Sequence, residues 1–402
     1  MDRLGEKIIC NPSIKMTKGE KYPLIDIEKI TPGVKNVRST EEIIFSGQGG
    51  SRFESGDVVM ARITPCLENG KIAIAKFPQS CALGSTELFV FRGKTNETDT
   101  DYIFYLFCMP HIRQLAVNSM TGASGRQRAD LKFIKKIQWN FPSLDSQKRI
   151  SEILSVYDDL IENNNKRIKI LEQMTQELYK EWFVRFRFPR YKEVQYKDGL
   201  PKGWLVVKIL NNSIFHLVKN TLKKFDGIKQ YFATADVDGD AFVSKGEQID
   251  YQNRPSRAQN VPTLNSVYFA RMSKTYKICS FTKQNKQMLD KIVLSSGFVG
   301  FDCDEKYYGF LRTYIASDTF DVMKDCFATG ATQVSLTDTG LSKIKVLLPN
   351  EELILKFSSI TNPIIDEIVH LQHKNDLIAK QRDLLLPRLM SGKLEIKGTD
   401  DA

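Results

Sequence analysis

Apolar residues fall seven apart, or a multiple of seven, at Leu154, Ile161, Ile168 and Trp182, and Ile150, Tyr157, Leu171 and Leu178 form a second row beside them. A two-row seam sustained over more than four heptads predicts a long helix that buries one stripe. Asp145 or Ser146 supplies an N-cap after Pro142, and Pro189 is expected to end the helix. The pattern returns at Ile364, Ile368, Leu371, Ile378, Leu385 and Leu389. There Pro363 is expected to break the first turns, so that clean helix starts near Ile364, and Pro387 to kink or end it. Asn164, Thr175, Asn375 and Arg382 interrupt the rows, and polar residues in a seam set register more than they add stability.

Outside these stretches the period shortens. Runs such as Val58-Val59-Met60-Ala61 and Leu88-Phe89-Val90-Phe91 stand between Gly, Pro and Ser clusters, as strands between turns do. Asp101–Phe107 reads as a helix among them. The expectation is an α+β chain in four segments: a mixed domain at 1–142, a helical spacer at 143–189, a second mixed domain at 190–349, and a second helix with its tail at 350–402.

The order repeats because the sequence does. Pro142, Asp159, Ile161, Leu171, Leu178 and Trp182 precede Pro349, Asp366, Ile368, Ile378, Leu385 and Leu389 by 207 positions, and Thr121-Gly122-Ala123 precedes Thr329-Gly330-Ala331 by 208. A chain built twice presents two similar surfaces, which suits an adaptor or ruler better than a single catalytic pocket. Two helices with matching apolar faces would most simply pack on each other, antiparallel, with a mixed domain at each end.

Composition narrows the class. At 402 residues the chain exceeds what one core usually supports. Its excess of 58 basic over 48 acidic residues, +10, is compatible with a polyanionic partner. Seven cysteines without a C-x-x-C pair favour reduced thiols over disulfides or a zinc site. With no membrane-length apolar run and no signal-peptide pattern in MDRLGEKIICNPSIKM, the expected compartment is the cytoplasm. Phosphate-loop, dinucleotide and zincin motifs are missing, and His370 and His373 fit a solvated helix face better than a metal site. Asp236-x-Asp238-x-Asp240 with Glu247 matches EF-hand spacing, but Ala241 stands where the sharp-turn glycine belongs, so no metal is expected.

Arginines among small residues are more promising. Gly122-Ala123-Ser124-Gly125-Arg126-Gln127-Arg128 places two on a glycine-rich loop, and Asn253-Arg254-Pro255-Ser256-Arg257-Ala258 places two around a proline bend. Arg reads phosphate or guanine bidentately, and Gln127 or Asn253 suits an adenine edge. Read alone, either segment is equally a solvated loop.

With these loops the chain resembles a known family, the DNA-specificity subunits of type I restriction-modification systems. The resemblance is carried by Phe53-x-Ser55-Gly56-Asp57-Val58, Arg62-Ile63-Thr64-Pro65-Cys66-Leu67-Glu68-Asn69-Gly70-Lys71, Gly84-Ser85-Thr86-Glu87, and Thr121-Gly122 with Gly125-Arg126-Gln127-Arg128. It extends through Ile153-Leu154, Asp158–Glu162 and Trp182-Phe183-Val184 to the tail Arg382–Gly392. The resemblance implies two target-recognition domains that each bind half of a split DNA sequence, spaced by two antiparallel helices. It implies docking of two modification subunits, which bind S-adenosylmethionine and methylate adenine, and of restriction subunits that use ATP and Mg. The specificity subunit itself binds no cofactor and has no active site.

On this reading Arg62, Lys71, Ser85, Thr86, Thr121, Arg126 and Arg128 are the candidates for DNA contact in the first half, and Arg254, Ser256, Arg257, Lys274, Thr329, Thr332 and Gln333 in the second. Leu154, Ile161, Ile168, Leu171, Leu178, Trp182, Ile368, Leu371, Ile378, Leu385 and Leu389 form the seam and carry the subunit docking. About 40 helical residues make a rod of roughly 60 Å, at most ~17 base pairs. Domain packing should shorten the gap to about one turn of DNA. The competing readings are a self-sufficient adenine methyltransferase, which lacks a recognisable cofactor motif here, and a coiled-coil protein with no DNA role.

Overall fold

The computed structural model describes residues 1–394 apart from Ser124 and Thr332. It divides into two compact units: Met1–Asn163 with the chain from Asn375 onward, and Asn164–Lys374. Two long helices, Leu144–Tyr179 and Glu351–Met390, each run across that division, so each unit owns part of both.

Within each unit the two helical stretches run antiparallel. In the first, Ile150 and Leu154 share a core with Leu386, Leu389 and Met390, while Asp158 pairs with Arg382. In the second, Ile168 packs with Ile368 and Leu371, Arg167 meets Glu367 at 2.9 Å, and Trp182 and Phe183 lie against Phe357. Partner numbers fall as helix numbers rise. Of the expected seam residues, Leu154, Ile168, Trp182, Ile368, Leu371, Ile378 and Leu389 are buried, and Ile161, Leu171, Leu178 and Leu385 are half-buried.

Three expectations about these helices are corrected. Pro363 and Pro387 both lie inside the Glu351–Met390 helix and do not interrupt it. Phe357, Ser358, Thr361 and Ile365 around the first, and Leu386, Leu389 and Met390 around the second, are buried, and that packing outweighs the ~3 kcal/mol an internal proline costs. The first α-helix stops at Tyr179 and passes into a π turn, Lys180–Val184, well before Pro189. The second row of the seam also differs: Gln147, Ser151 and Asp158 are buried, while Tyr157 is only half-buried. This stretch packs on the globular part of its unit as well as on the other helix. Gln147 accepts from the Asp99 N–H at 3.0 Å, Ser151 donates to Asp99 at 2.9 Å, and Asp158 accepts from Tyr105.

The globular parts follow one plan. In the first unit strand Lys21–Ile25 pairs antiparallel with Glu42–Ile44 and parallel with Cys81–Gly84, which takes Ser51–Glu54 on its other side. A second sheet runs Ile8–Cys10, Leu88–Gly93, Val58–Ala61, Ile72–Ala75 and, parallel at its edge, Asn36–Val37. In the second unit Lys229–Phe232 pairs with Glu247–Ile249 and, parallel, with Ile292–Ser295, which takes Ala258–Asn260. Phe215–Leu217, Phe298–Cys303, Ser266–Ala270 and Ile278–Phe281 form its second sheet. Helices follow in the same order: Thr100–Cys108 and Pro110–Asn118 in one unit, Glu305–Ile315 and Asp318–Cys326 in the other.

The continuous apolar runs are explained by this layering. Val58 and Met60 face the helical core with Tyr102–Phe107, whereas Val59 faces the other sheet with Ile25 and Phe53. Val267 and Phe269 likewise face Phe310 and Tyr314, and Tyr268 faces Phe232 and Leu294. A sheet buried on both faces shows no alternation. The result is an α+β fold, with a helix layer on one sheet of each unit.

In the second unit Glu305–Ile315 lies close against the long helix at Gly309, where a Cβ would lie 2.2 Å from Thr361 Oγ1 and 3.0 Å from Ser358 Cα. Gly309→Ala should therefore lower the stability of that unit by about 1–2 kcal/mol, despite alanine's better helix propensity. Chemical denaturation of the purified chain measures it.

Candidate nucleic-acid interface

The end of strand Val58–Ala61 is tied to two other segments through the backbone of the next residue. Arg62 N–H donates to the Glu87 carbonyl at 3.0 Å, and its carbonyl accepts from Ala129 at 2.8 Å. Just before Ala129, Thr121 and Arg128 close a loop by exchanging backbone hydrogen bonds of 3.0 and 2.9 Å, and Thr64 donates to Gln127 at 3.0 Å. Gly122 sits at φ +124°, where a side chain is strained and a Cβ would come 3.2 Å from the Arg126 carbonyl. Glycine is needed there.

Side chains collect on this knot. Arg128 donates through Nε (2.9 Å) and Nη2 (2.6 Å) to the Glu87 carboxylate, and Arg62 Nε lies 3.9 Å from it. The Arg128 hydrogen bonds, with help from the Arg62 charge, hold the Glu87 carboxyl below its ordinary range. The Arg62 guanidinium stacks 5.0 Å over Phe89, and its Nε is shut off from solvent without a hydrogen-bond partner. Ser85 Oγ accepts from the Glu87 N–H at 3.1 Å; Thr86 is next in chain, and Arg126 and Thr121 are exposed on the loop. Arg62, Ser85, Thr86, Thr121, Arg126 and Arg128 are thus brought together. Lys71 is turned inward: its ammonium donates to the Ile27 carbonyl at 2.9 Å.

The second unit ties the same knot with different side chains. Arg271 N–H donates to the Gly297 carbonyl and its carbonyl accepts from Leu336, both at 2.8 Å. Thr329 and Ser335 exchange two backbone bonds of 3.0 Å, Ser273 donates to Val334 at 3.0 Å, and Ser295 Oγ accepts from Gly297 at 3.1 Å. Lys277 repeats the tether of Lys71, donating to the Thr234 carbonyl at 2.9 Å and the Val237 carbonyl at 2.6 Å. Thr329 and Gln333 are exposed on the closed loop, and Lys274 heads the adjoining turn with its N–H on Asp325 at 2.9 Å. The Arg257 carbonyl accepts from Ser296 at 2.8 Å and joins the preceding loop to the knot. In that loop the Arg254 guanidinium stacks 3.8 Å over Tyr251, and the Ser256 carbonyl accepts from Gln259 at 2.9 Å. Thr332 lies outside the described residues.

The acidic turn with EF-hand spacing is a hairpin, Val237–Asp238 paired with Ala241–Phe242. Asp236 accepts from the Ala233 N–H and from Ser244, while Asp240 turns to Arg312 at 3.3 Å. Among the described residues no group of three or more His, Cys, Asp or Glu is placed to hold a metal, and no helix is long and apolar enough to cross a membrane.

The family model for the type I restriction modification DNA specificity domain matches residues 5–173. The type I restriction enzyme MjaIX specificity subunit of Methanocaldococcus jannaschii is 25% identical to this chain, over 98% of this chain and 92% of its own length. Residues 5–173 thus match a type I DNA specificity domain, and the whole chain is similar to type I specificity subunits. The HindI specificity subunit of Haemophilus influenzae is 21% identical, over 87% of this chain and 88% of its own. A crystal structure of a type I restriction-modification S subunit from M. genitalium aligns with 98% of this chain and 96% of its own at 13% identity and a TM-score of 0.47. As a family, specificity subunits are non-catalytic.

In this chain one residue of the second knot is missing from the candidates that the sequence offers: Arg271, which occupies the place of Arg62. The signal is there, since Ala61-Arg62-Ile63 reappears as Ala270-Arg271-Met272, but at 209 positions rather than 207 or 208. Its guanidinium is held by the Leu336 carbonyl at 2.9 Å and by Asp338 at 2.7 Å.

Proposed function

We propose that each unit reads one half of a split double-stranded DNA target through its knot, and that the long helices dock two modification subunits, with restriction subunits completing the assembly. The observation that carries the DNA-reading role is the repeated knot, which presents Arg62, Arg126 and Arg128 in one unit and Arg257, Arg271 and Lys274 in the other. Docking is supported by apolar side chains left exposed on the helices: Val156 and Leu160 in the first unit, Ile170 and Met174 in the second. Exposed pairs at i, i+4 form a stripe suited to a protein partner. S-adenosylmethionine, ATP and Mg belong on this reading to the partner subunits, and the complex works in the cytoplasm.

Selection from a randomised duplex library by the full chain, co-expressed with its modification subunits, tests the proposal. Two enriched blocks with a fixed, unread gap are expected; a single contiguous block or no enrichment contradicts it. Arg126→Ala distinguishes two roles for that side chain. If Arg126 touches phosphate, its removal weakens all sequences alike and flattens the salt slope by about 0.9; if it reads a base, its removal relaxes one position. Unchanged binding to every sequence would remove that loop from the interface.

A further inference from the structure

In each knot one arginine is hydrogen-bonded to one carboxylate, with Arg62 also 3.9 Å from the carboxylate of the first, and the backbone hydrogen bonds close each knot without these side chains. In the first unit the Glu87 carboxylate grips Arg128 by Nε and Nη2. In the second the equivalent places are taken by Gly297 and Ser335, so that pair cannot form. There the carboxylate comes from another segment, Asp338, and the arginine it holds is Arg271. An arginine–carboxylate pair is thus built twice from non-equivalent residues, with different grips. Glu87 holds Nε and Nη2 of Arg128, whereas Asp338 holds Nη2 of Arg271, whose Nη1 is on the Leu336 carbonyl. Both pairs are partly exposed, with Arg128 at 44% and Asp338 at 86%, and exposed ion pairs add little to stability.

We infer that Glu87 and Asp338 are positioning residues that aim Arg128 and Arg271 at the DNA and exchange affinity for selectivity. The inference rests on the proposed DNA-reading role. The Glu87 carboxylate on Nε and Nη2 fixes the Arg128 guanidinium plane and leaves Nη1 as the forward donor. Asp338 on Nη2 and the Leu336 carbonyl on Nη1 fix the plane of Arg271, whereas a loose arginine follows any phosphate. Glu87 is itself fixed: its N–H is on Ser85 Oγ and its carbonyl on Arg62 N–H. It also places a negative charge where DNA phosphates approach, which penalises binding that gains nothing from the bases.

The test compares wild type, Glu87→Gln, Asp338→Asn and Arg128→Lys as full chains with modification subunits, on a randomised duplex library and on one fixed duplex of arbitrary sequence. Glu87→Gln should bind the arbitrary duplex about two- to fivefold more tightly, with a salt slope steeper by up to ~0.9. Discrimination at one base pair of the first half-site should fall from about tenfold or more to within about threefold, the second half-site being unchanged. Asp338→Asn should do the same in the second half-site only. Arg128→Lys keeps the charge but loses the fork, and should relax the same base pair as Glu87→Gln without tighter binding to the arbitrary duplex. A merely structural role would weaken all sequences alike. That result, or an unchanged motif in variants that melt like wild type, overturns the inference. A wild-type chain that enriches no sequence overturns instead the DNA-reading role beneath it.

Discussion

Arg382→Met should destabilise the first unit by roughly 3–5 kcal/mol near pH 8, the usual cost of removing one partner of a buried ion pair. The guanidinium is 12% exposed and the Asp158 carboxylate it meets 3%. Asp158 also accepts from Tyr105, and Lys35 lies close by with its ammonium on Asp101 and Ser155, each at 2.6 Å. Burial pushes the Asp158 carboxyl up, and Arg382 is the strongest influence opposing that push. Without Arg382 the carboxyl must take a proton or stay charged in the core, so its folded pKa rises further. A group whose folded pKa is raised above the unfolded one contributes stability at low pH and loses it as pH rises. The deficit of the variant should therefore be largest at pH 8 and shrink toward pH 4–5. Hydrogen exchange of the Thr100–Cys108 helix reports on this unit separately from the other. A loss under about 1 kcal/mol at pH 8 would mean that the pair behaves as a solvated one.

Glu172→Gln should have the opposite sign. Glu172, on the long helix, and Asp240, in the Val237–Phe242 hairpin, face one buried cation, Arg312, whose guanidinium is 6% exposed and lies 3.6 and 3.3 Å from them. Arg312 also donates to Ser280 at 2.8 Å, and Tyr276 and Tyr308 border the site. Glu172 Oε1 is closed off from solvent with no hydrogen-bond partner, although the side chain as a whole is 28% exposed. Burial first, and then the bond and charge of Asp240, push the Glu172 carboxyl up to about 9. Between the ordinary glutamate value and about 9 the folded chain holds a proton that the unfolded chain releases. The stability from this proton is present below the unfolded pKa and is lost as pH rises through 9. Glutamine mimics the protonated form and does not titrate. The variant should gain on the order of 1–3 kcal/mol at pH 8–9 and show a flatter profile from pH 5 upward. Parallel wild-type and variant stability profiles across that range would contradict a protonated Glu172 in the folded chain.

The helices were legible in the sequence because a heptad seam tolerates no insertion, so their repeat keeps one offset. The globular units were not, because backbone hydrogen bonds tie their knots and leave side chains and loop lengths free. Lys71 and Lys277 are 206 apart, Arg62 and Arg271 209, Ser85 and Ser295 210, and Arg128 and Ser335 207. A search at constant offset finds Thr121-Gly122-Ala123 and passes over Arg271. The basic residues also move between segments: the first unit carries Arg126 and Arg128 on the closed loop, where the second carries Gln333 and Ser335 and places Arg254 and Arg257 in an earlier loop. Lys71 looked like a DNA ligand by its charge, and the carbonyl of Ile27 that occupies it belongs to a turn distant in sequence. The prolines misled for a related reason. Local propensity ends a helix at Pro363, but Phe357 and Ile365, buried on either side, keep it continuous there.

The most direct test of two-site reading is a genome-wide map of N6-methyladenine by single-molecule sequencing, with and without this gene, in cells where the modification subunits are verified as expressed. The account predicts that one split motif with a fixed gap loses its methylation on deletion, and that Arg271→Ala degrades discrimination in one half of that motif alone. An identical methylation map with and without the gene would contradict it.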